Sequence, residues 1–248
     1  MSLLTALLFP TLLSLGFWQL DRADEKTLIA AQNAAQAKAA PISLSDAEAL
    51  GEEELAFRRI ELVGSFDPEV VILSDNQIRD GRYGHDVYGL FRDESGAVTL
   101  LNRGWIAGDS SRRSLPAVEI PSDKLVLATT VYVPPGEPYL LAEETFDELE
   151  FPRLVQSVQS DKLYAALAEV ARKQPFAYEL RLDPSADAGF RRDWPVINVS
   201  PEKHQGYALQ WFTMAAALLL FFIIRSSNVM DLVRRSPTSS SDTKDREI

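Results

Sequence analysis

Cysteine is absent from the 248 residues. That removes disulfide frameworks, thiolate-held zinc, copper or iron–sulfur centres, and a cysteine nucleophile. Histidine is nearly as scarce, with only His85 and His204. Positive charge is in deficit: 25 Lys and Arg against 36 Asp and Glu leave a formal −11. Such a chain is a poor partner for the nucleic-acid polyanion, and no nucleic-acid role is expected. Glycine-rich phosphate loops are missing too, because no Gly-x-Gly-x-x-Gly or Walker-type string occurs. What is present is 46% hydrophobic and 9% aromatic residues, enough for a packed core and against wholesale disorder.

The hydrophobic residues are unevenly spread. Met1 to Leu20 carries no ionisable side chain, and a helix of that length crosses a hydrocarbon core of roughly 30 Å. The run lacks a basic leading region and continues into Asp21-Arg22-Ala23-Asp24-Glu25-Lys26, so a retained anchor is expected in place of a cleaved signal peptide. A second uncharged run extends from Tyr207 to Ile224 and stops at Arg225. Arg225, Arg234 and Arg235 follow that second run, and the cation bias puts its C-terminal end in the cytoplasm. Met1 then lies there as well, and everything between the spans lies on the far side. The expected division is a first span over residues 1–20, an external domain over 21–204, a second span over 205–225 and a disordered cytoplasmic tail over 226–248.

Within the loop, Ala23 to Ala40 is rich in Ala, Gln and Lys and continues the first helix outward until Pro41 stops it. Strands follow. Arg59–Phe66 and Val70–Leu73 are separate short segments around Asp67-Pro68, and Val87–Arg92 forms a hairpin with Val98–Arg103 across Asp93-Glu94-Ser95-Gly96. Lys124–Val133 and Tyr178–Leu182 are further strands. Leu163, Tyr164, Leu167 and Val170 mark a helix over Asp161–Lys173. The expected fold class is a membrane protein whose two transmembrane helices flank an external α+β domain, mainly an antiparallel β sheet or barrel with one or two helices.

Catalytic signals are weak. Gly108-Asp109-Ser110-Ser111 is the only nucleophile-like string, and His204 follows Ser200-Pro201-Glu202-Lys203 without the Asp-x-x-His such a serine would need. Glu52-Glu53-Glu54 and Glu143-Glu144 read as solvated faces, and His85 reads as a surface or turn residue before a strand. In Arg103-Gly104-Trp105 the glycine permits a bulge, the tryptophan packs under the sheet and the arginine can pair with an acidic group. No enzyme is expected.

The span mouths are more informative. Aromatics at Trp18, Tyr207 and Trp211 fit an interfacial belt; that account does not call for His204, Gln19 or Gln210. A helix starting at or before His204 puts His204, Tyr207, Trp211 and Met214 at i, i+3, i+7 and i+10. Such a face suits either an interfacial histidine or an axial imidazole with rings beside a planar ligand.

Three strings carry a family resemblance: Leu15-Gly16-Phe17-Trp18-Gln19-Leu20-Asp21-Arg22 with Lys26, Leu101-Asn102-Arg103-Gly104-Trp105, and His204-Gln205-Gly206-Tyr207-Ala208-Leu209-Gln210-Trp211-Phe212. In that order, with two spans, the chain resembles the surfeit-locus protein 1 (SURF1-like) family over nearly its whole length. It departs from the family pattern at Gly84-His85-Asp86-Val87-Tyr88, where a Gly-Tyr followed by Thr-Pro is usual. The resemblance implies an assembly factor for cytochrome c oxidase that binds or positions haem a, transiently, for insertion into subunit I. It implies His204 as the metal ligand, with Tyr207, Trp211 and Trp18 beside the cofactor. The spans are expected to pack with Trp18 and Gln19 facing Trp211 and Gln210. Expected partners are cytochrome c oxidase subunit I, a haem a synthase and the lipid membrane. The expected location is a bacterial inner membrane, since no basic transit peptide precedes the first span. The alternative is a cofactor-free tether that stabilises an oxidase assembly intermediate.

Overall fold

The computed structural model describes residues 2–134, 136, 138, 140–186, 189–194 and 199–226; the expected tail beyond residue 226 lies outside them. The chain divides into two compact units, residues 1–30 with 197–248, and residues 31–196.

Along the chain come α1 (Ser2–Lys38), the single turns α2 (Leu44–Ala47) and α3 (Glu52–Leu55), β1 (Arg59–Arg79), β2 (Arg82–Asp93), β3 (Val98–Ala107), β4 (Leu125–Tyr132), β5 (Arg153–Val155), α4 (Asp161–Ala171), β6 (Glu179–Leu182) and α5 (Pro201–Ser226). α1 and α5 are each long and apolar enough to cross a membrane. Between them in sequence lies the mixed β domain. α1 runs through Pro10 as one helix, about 55 Å at 1.5 Å per residue, and only its first half is apolar. Its second half is Ala-rich and ends at Lys38, three residues before Pro41.

The β domain closes on itself. β1 pairs antiparallel with β2 along one edge and with β4 along the other. β2 continues antiparallel to β3, β3 pairs parallel with β6, and β6 pairs antiparallel with β4. The order β4-β1-β2-β3 is a Greek key, and β6, inserted between β3 and β4, completes a five-stranded barrel of the OB type. β5 adds a short parallel pairing to β1 at residues 72–74.

Closure explains the burial. Ile60, Leu62, Phe66, Phe91, Leu101, Leu127, Leu180 and Leu182 fill one core, capped by Leu44, Ala47 and Leu55 from α2 and α3. On the opposite face of β1–β3, Val70, Ile72, Leu90, Val98 and Leu100 pack against Leu163, Leu167 and Ala171 of α4. β2 and β3 are therefore covered on both faces, and burial runs nearly unbroken along both strands, taking in the polar His85, Asp86, Thr99, Asn102 and Arg103 as well as their apolar neighbours. Ser160 caps α4 by accepting from the Leu163 N–H, and Arg172 ends it in the left-handed region at φ 55°. The buried stripe runs through Ala171, while Val170 is exposed.

Two expectations are corrected. Arg59–Phe66 and Val70–Leu73 are one strand, because Asp67 to Val70 form a bulge opposite Leu90, between the Phe66–Phe91 and Val71–Gly89 pairs. Pro68 falls in that bulge, where no ladder donor is required. The hairpin also reaches further than Val87, since its partner strand begins at Arg82 behind the Asp80-Gly81 turn. His85 consequently lies inside a strand and is buried, 1% exposed, and is not a surface histidine.

Candidate functional site

Each long helix carries a stripe of covered residues at alternating four- and three-residue steps. On α1 it is Thr5, Phe9, Leu12, Gly16, Gln19, Ala23, Lys26 and Ala30; on α5 it is His204, Ala208, Trp211, Ala215, Leu218 and Phe222. This is the spacing of a helix–helix seam. Gly16 packs on Phe212, and Gln19 meets His204, so the index rises on one helix as it falls on the other and the pair is antiparallel. The small residues set the separation: Ala23, Ala208 and Ala215 are each 1% exposed, and a β-carbon on Gly16 would run into the Phe212 ring. Phe17 meets Phe212 edge to face, with ring centroids 5.2 Å apart.

The polar member of the seam is the contact between Gln19 Oε1 and His204 Nδ1, 2.7 Å. An amide oxygen only accepts, so in this pairing Nδ1 donates, and of the two neutral tautomers the contact selects the one whose lone pair is on Nε2. His204 is half-buried in the first turn of α5. One helical turn beyond Gln19, the charged groups satisfy each other. Arg22 pairs with Glu25 at 2.5 Å and lies over the Trp18 ring at 5.8 Å, and Lys26 pairs with Glu25 at 3.3 Å.

Of the four residues expected around a cofactor, the seam gathers His204 and Trp211. Tyr207 and Trp18, 53% and 48% exposed, stand outside it, as does Met214. The steps of i+4 and i+7 from His204 define the covered face, leaving i+3 and i+10 beside it. Gln19 faces His204 in place of the expected Gln210, which is exposed. Sequence reasoning assigns Gly16 no role of its own; its signal is a single small residue in register with Gln19 and Ala23.

The barrel holds two polar knots. At the second β1 bulge, Asp75 and Asn76 lie opposite His85 between the Ser74–Asp86 and Gln77–Gly84 pairs. His85 Nδ1 is 3.5 Å from Asp75 Oδ1, and the Tyr83 hydroxyl donates to that oxygen at 2.7 Å. Burial lowers the pKa of His85 against the opposing pull of Asp75. Burial would raise Asp75, but the Tyr83 hydroxyl, the Asn76 N–H and the His85 and Arg112 charges hold it below the usual value. Tyr83 itself is pushed up to about 12 by burial and by its bond to Asp75.

The second knot is Arg103, the extra residue of a β3 bulge between Gly104 and Asn102. Gly104 at φ 112° supplies the backbone geometry expected of it. Trp105 is buried and donates from Nε1 to the Gln77 carbonyl, 2.8 Å. Arg103 forms no pair with a carboxylate among the described residues. Its guanidinium lies 5.1 Å from the ring centres of both Phe66 and Phe190, and Nη1 donates to the Glu119 carbonyl at 2.9 Å. Burial lowers its pKa.

Two long apolar helices that meet around an imidazole, with a Greek-key barrel between them in sequence, define a barrel protein with two candidate membrane helices. The SURF1 family model matches residues 6–216, and the chain belongs to that family. It is 25% identical over 243 residues to a SURF1-like protein of Rickettsia felis, covering 93% of this chain and 99% of the relative. A SURF1-like protein of Rickettsia conorii is 24% identical over 242 residues, with 92% of each chain covered. Membership implies a role in cytochrome c oxidase assembly.

Proposed function

We propose that the protein serves oxidase assembly by holding haem a at the α1–α5 seam for delivery to subunit I, with His204 as the axial ligand. The observation that carries this reading is the Gln19–His204 contact, which fixes the imidazole in the tautomer whose Nε2 can donate to a metal. The donor set fits a macrocycle better than a bare ion. Among the described residues no group of three or more His, Asp or Glu side chains could hold a metal ion, whereas a porphyrin asks the protein for an axial imidazole. When bound, haem iron would supply one coordination position to Nε2. The chain's own residues do the rest: Gln19 orients the ring, Trp211 lies on the same covered face two turns further along α5, and Trp18 and Tyr207, outside the seam, would flank the mouth. In this reading both termini are cytoplasmic, the barrel faces the periplasm of a bacterial inner membrane, and the barrel meets subunit I, with a haem a synthase supplying the cofactor.

The test is a reduced-minus-oxidised visible spectrum of the purified full chain, co-expressed with haem a synthesis. Wild type should show a haem a band that His204→Ala removes and Gln19→Leu weakens, with circular dichroism unchanged. Absence of the band from wild type, with haem a available, would leave the family role to a cofactor-free tether.

A further inference from the structure

Arg103 is the one lysine or arginine that is buried among the described residues, 4% exposed, and the proposed haem chemistry does not use it. A buried cation is costly unless an anion accompanies it. Elsewhere the fold supplies one: Arg181 pairs with the buried Glu179, and Arg79 with the buried Asp86. Beside Arg103 stand two rings and a carbonyl, and no carboxylate among the described residues, in a chain whose acids outnumber its lysines and arginines 36 to 25. We propose that the unpaired edge of the Arg103 guanidinium is a binding site for a carboxylate group.

Three features select that chemistry. First, the unused donors lie together. Nη1 is taken by the Glu119 carbonyl; Nε is buried without a partner, and Nη2 makes no hydrogen bond among the described residues but is not enclosed. Nε and Nη2 direct parallel N–H bonds from one edge of the guanidinium, at the spacing of the two oxygens of a carboxylate. Second, the edge is held in place. The guanidinium lies where two apolar clusters meet, Phe66 being part of one and Phe190 packing on the other. Gly89 leaves room for it, since a β-carbon there would stand 2.8 Å from the Phe66 ring and 3.7 Å from Arg103 Cδ. Among apolar rings a charge-assisted bond is stronger than in water. Third, burial alone displaces the pKa of Arg103, downward, so no described acid stands close enough to act on its charge. A neutral amide offers one oxygen to two donors, and the further oxygens of a phosphate would face the rings. A carboxylate answers the charge and both donors.

The same group is carried by a free acid and by an acidic side chain of a partner protein, and the test separates these sources. The full chain, with nitrogen-15 arginine, is placed in zwitterionic-lipid nanodiscs and titrated with butyrate, neutral butyramide, inorganic phosphate and N-acetyl-glutamate methylamide while the arginine Nε–H signals are followed. The Arg103 signal, assigned by its loss in Arg103→Lys, should move downfield with butyrate and stay in place with butyramide. The Arg181 signal, whose Nε already donates to Glu179, should not move and serves as the internal reference. Arg103→Lys keeps the charge and loses the edge, so butyrate binding, read by saturation transfer, should weaken roughly tenfold. If that variant fails to fold, Phe190→Leu, which displaces the signal and keeps the guanidinium, supplies the assignment and the wild-type titration decides. Tighter binding of the glutamate derivative than of butyrate assigns the site to a partner's acidic side chain, and equal or weaker binding assigns it to a small acid. No movement with either acid, equal movement with butyramide or phosphate, or undiminished binding by folded Arg103→Lys overturns the proposal. So does a response that appears only after Glu119→Gln or, outside the described residues, Asp187→Asn, because the partner is then internal.

Discussion

His85 shows how one residue can tie a bulge to a pH response. Its ring fills the space made where Asp75 and Asn76 share a single partner position on β2, and Gly108 lies against Nε2 and the Tyr83 ring. Because the folded protein holds its pKa below the ordinary 6.5, the unfolded chain takes up the proton first. Stability is complete above about pH 6.5 and falls as the pH drops below it. Asp75, lowered from 3.8, acts only in more acid solution, while Glu179, raised by burial, works in the opposite sense and is common to both proteins compared. Thermal melts at pH 7.5 and 5.5 should therefore show a larger loss of Tm in wild type than in His85→Gln. Identical slopes would remove the imidazole as the cause. Arg103 is the other residue whose setting departs from expectation, since two rings and a carbonyl stand where the sequence suggests a carboxylate. One of those rings, Phe190, comes from the segment running beside β3, about ninety positions away, and the other, Phe66, from β1; no local pattern reports either.

Among elements, the two long helices are legible from charge-free length alone, and the hairpin, β4, β6 and α4 from alternation, turn residues and helical spacing. The continuity of β1 is not. Asp-Pro reads locally as a break, and only the presence of β2 on one side lets the strand absorb it as a bulge. The seam is half legible: aromatic and polar residues at the helix ends are visible in sequence, but the facing register depends on how close the backbones come, and Gly16 decides that. Gly16→Leu should force α1 from α5. With no native cysteine to interfere, the change can be read by short methanethiosulfonate cross-linking of a Gln19→Cys, His204→Cys pair. Cross-linking should be efficient with glycine retained at position 16 and several-fold poorer when Gly16→Leu is added. Undiminished cross-linking would show that the ring of Phe212 moves aside without cost to the pair.

At the scale of the whole molecule, the chain is two units of different solvent habit. The helices leave Leu3, Leu7, Leu209, Leu220 and Phe221 exposed, surface suited to lipid, while the barrel buries its apolar residues in cores of its own. A fragment of residues 39–196 should accordingly fold without the helices, giving a β-type circular dichroism spectrum and a single cooperative urea transition. A broad, non-cooperative transition would mean that the cores need α1 and α5. The order of the strands also sets a timetable for synthesis. β1 begins at residue 59, yet the strand that closes the barrel, β6, ends only at residue 182. At roughly 5–20 residues per second, the ribosome leaves that sheet open on the order of ten seconds. For that interval the nascent chain presents unpaired strand edges, with α1 already made, so the barrel must be completed by a protein whose first helix has emerged well before its last strand.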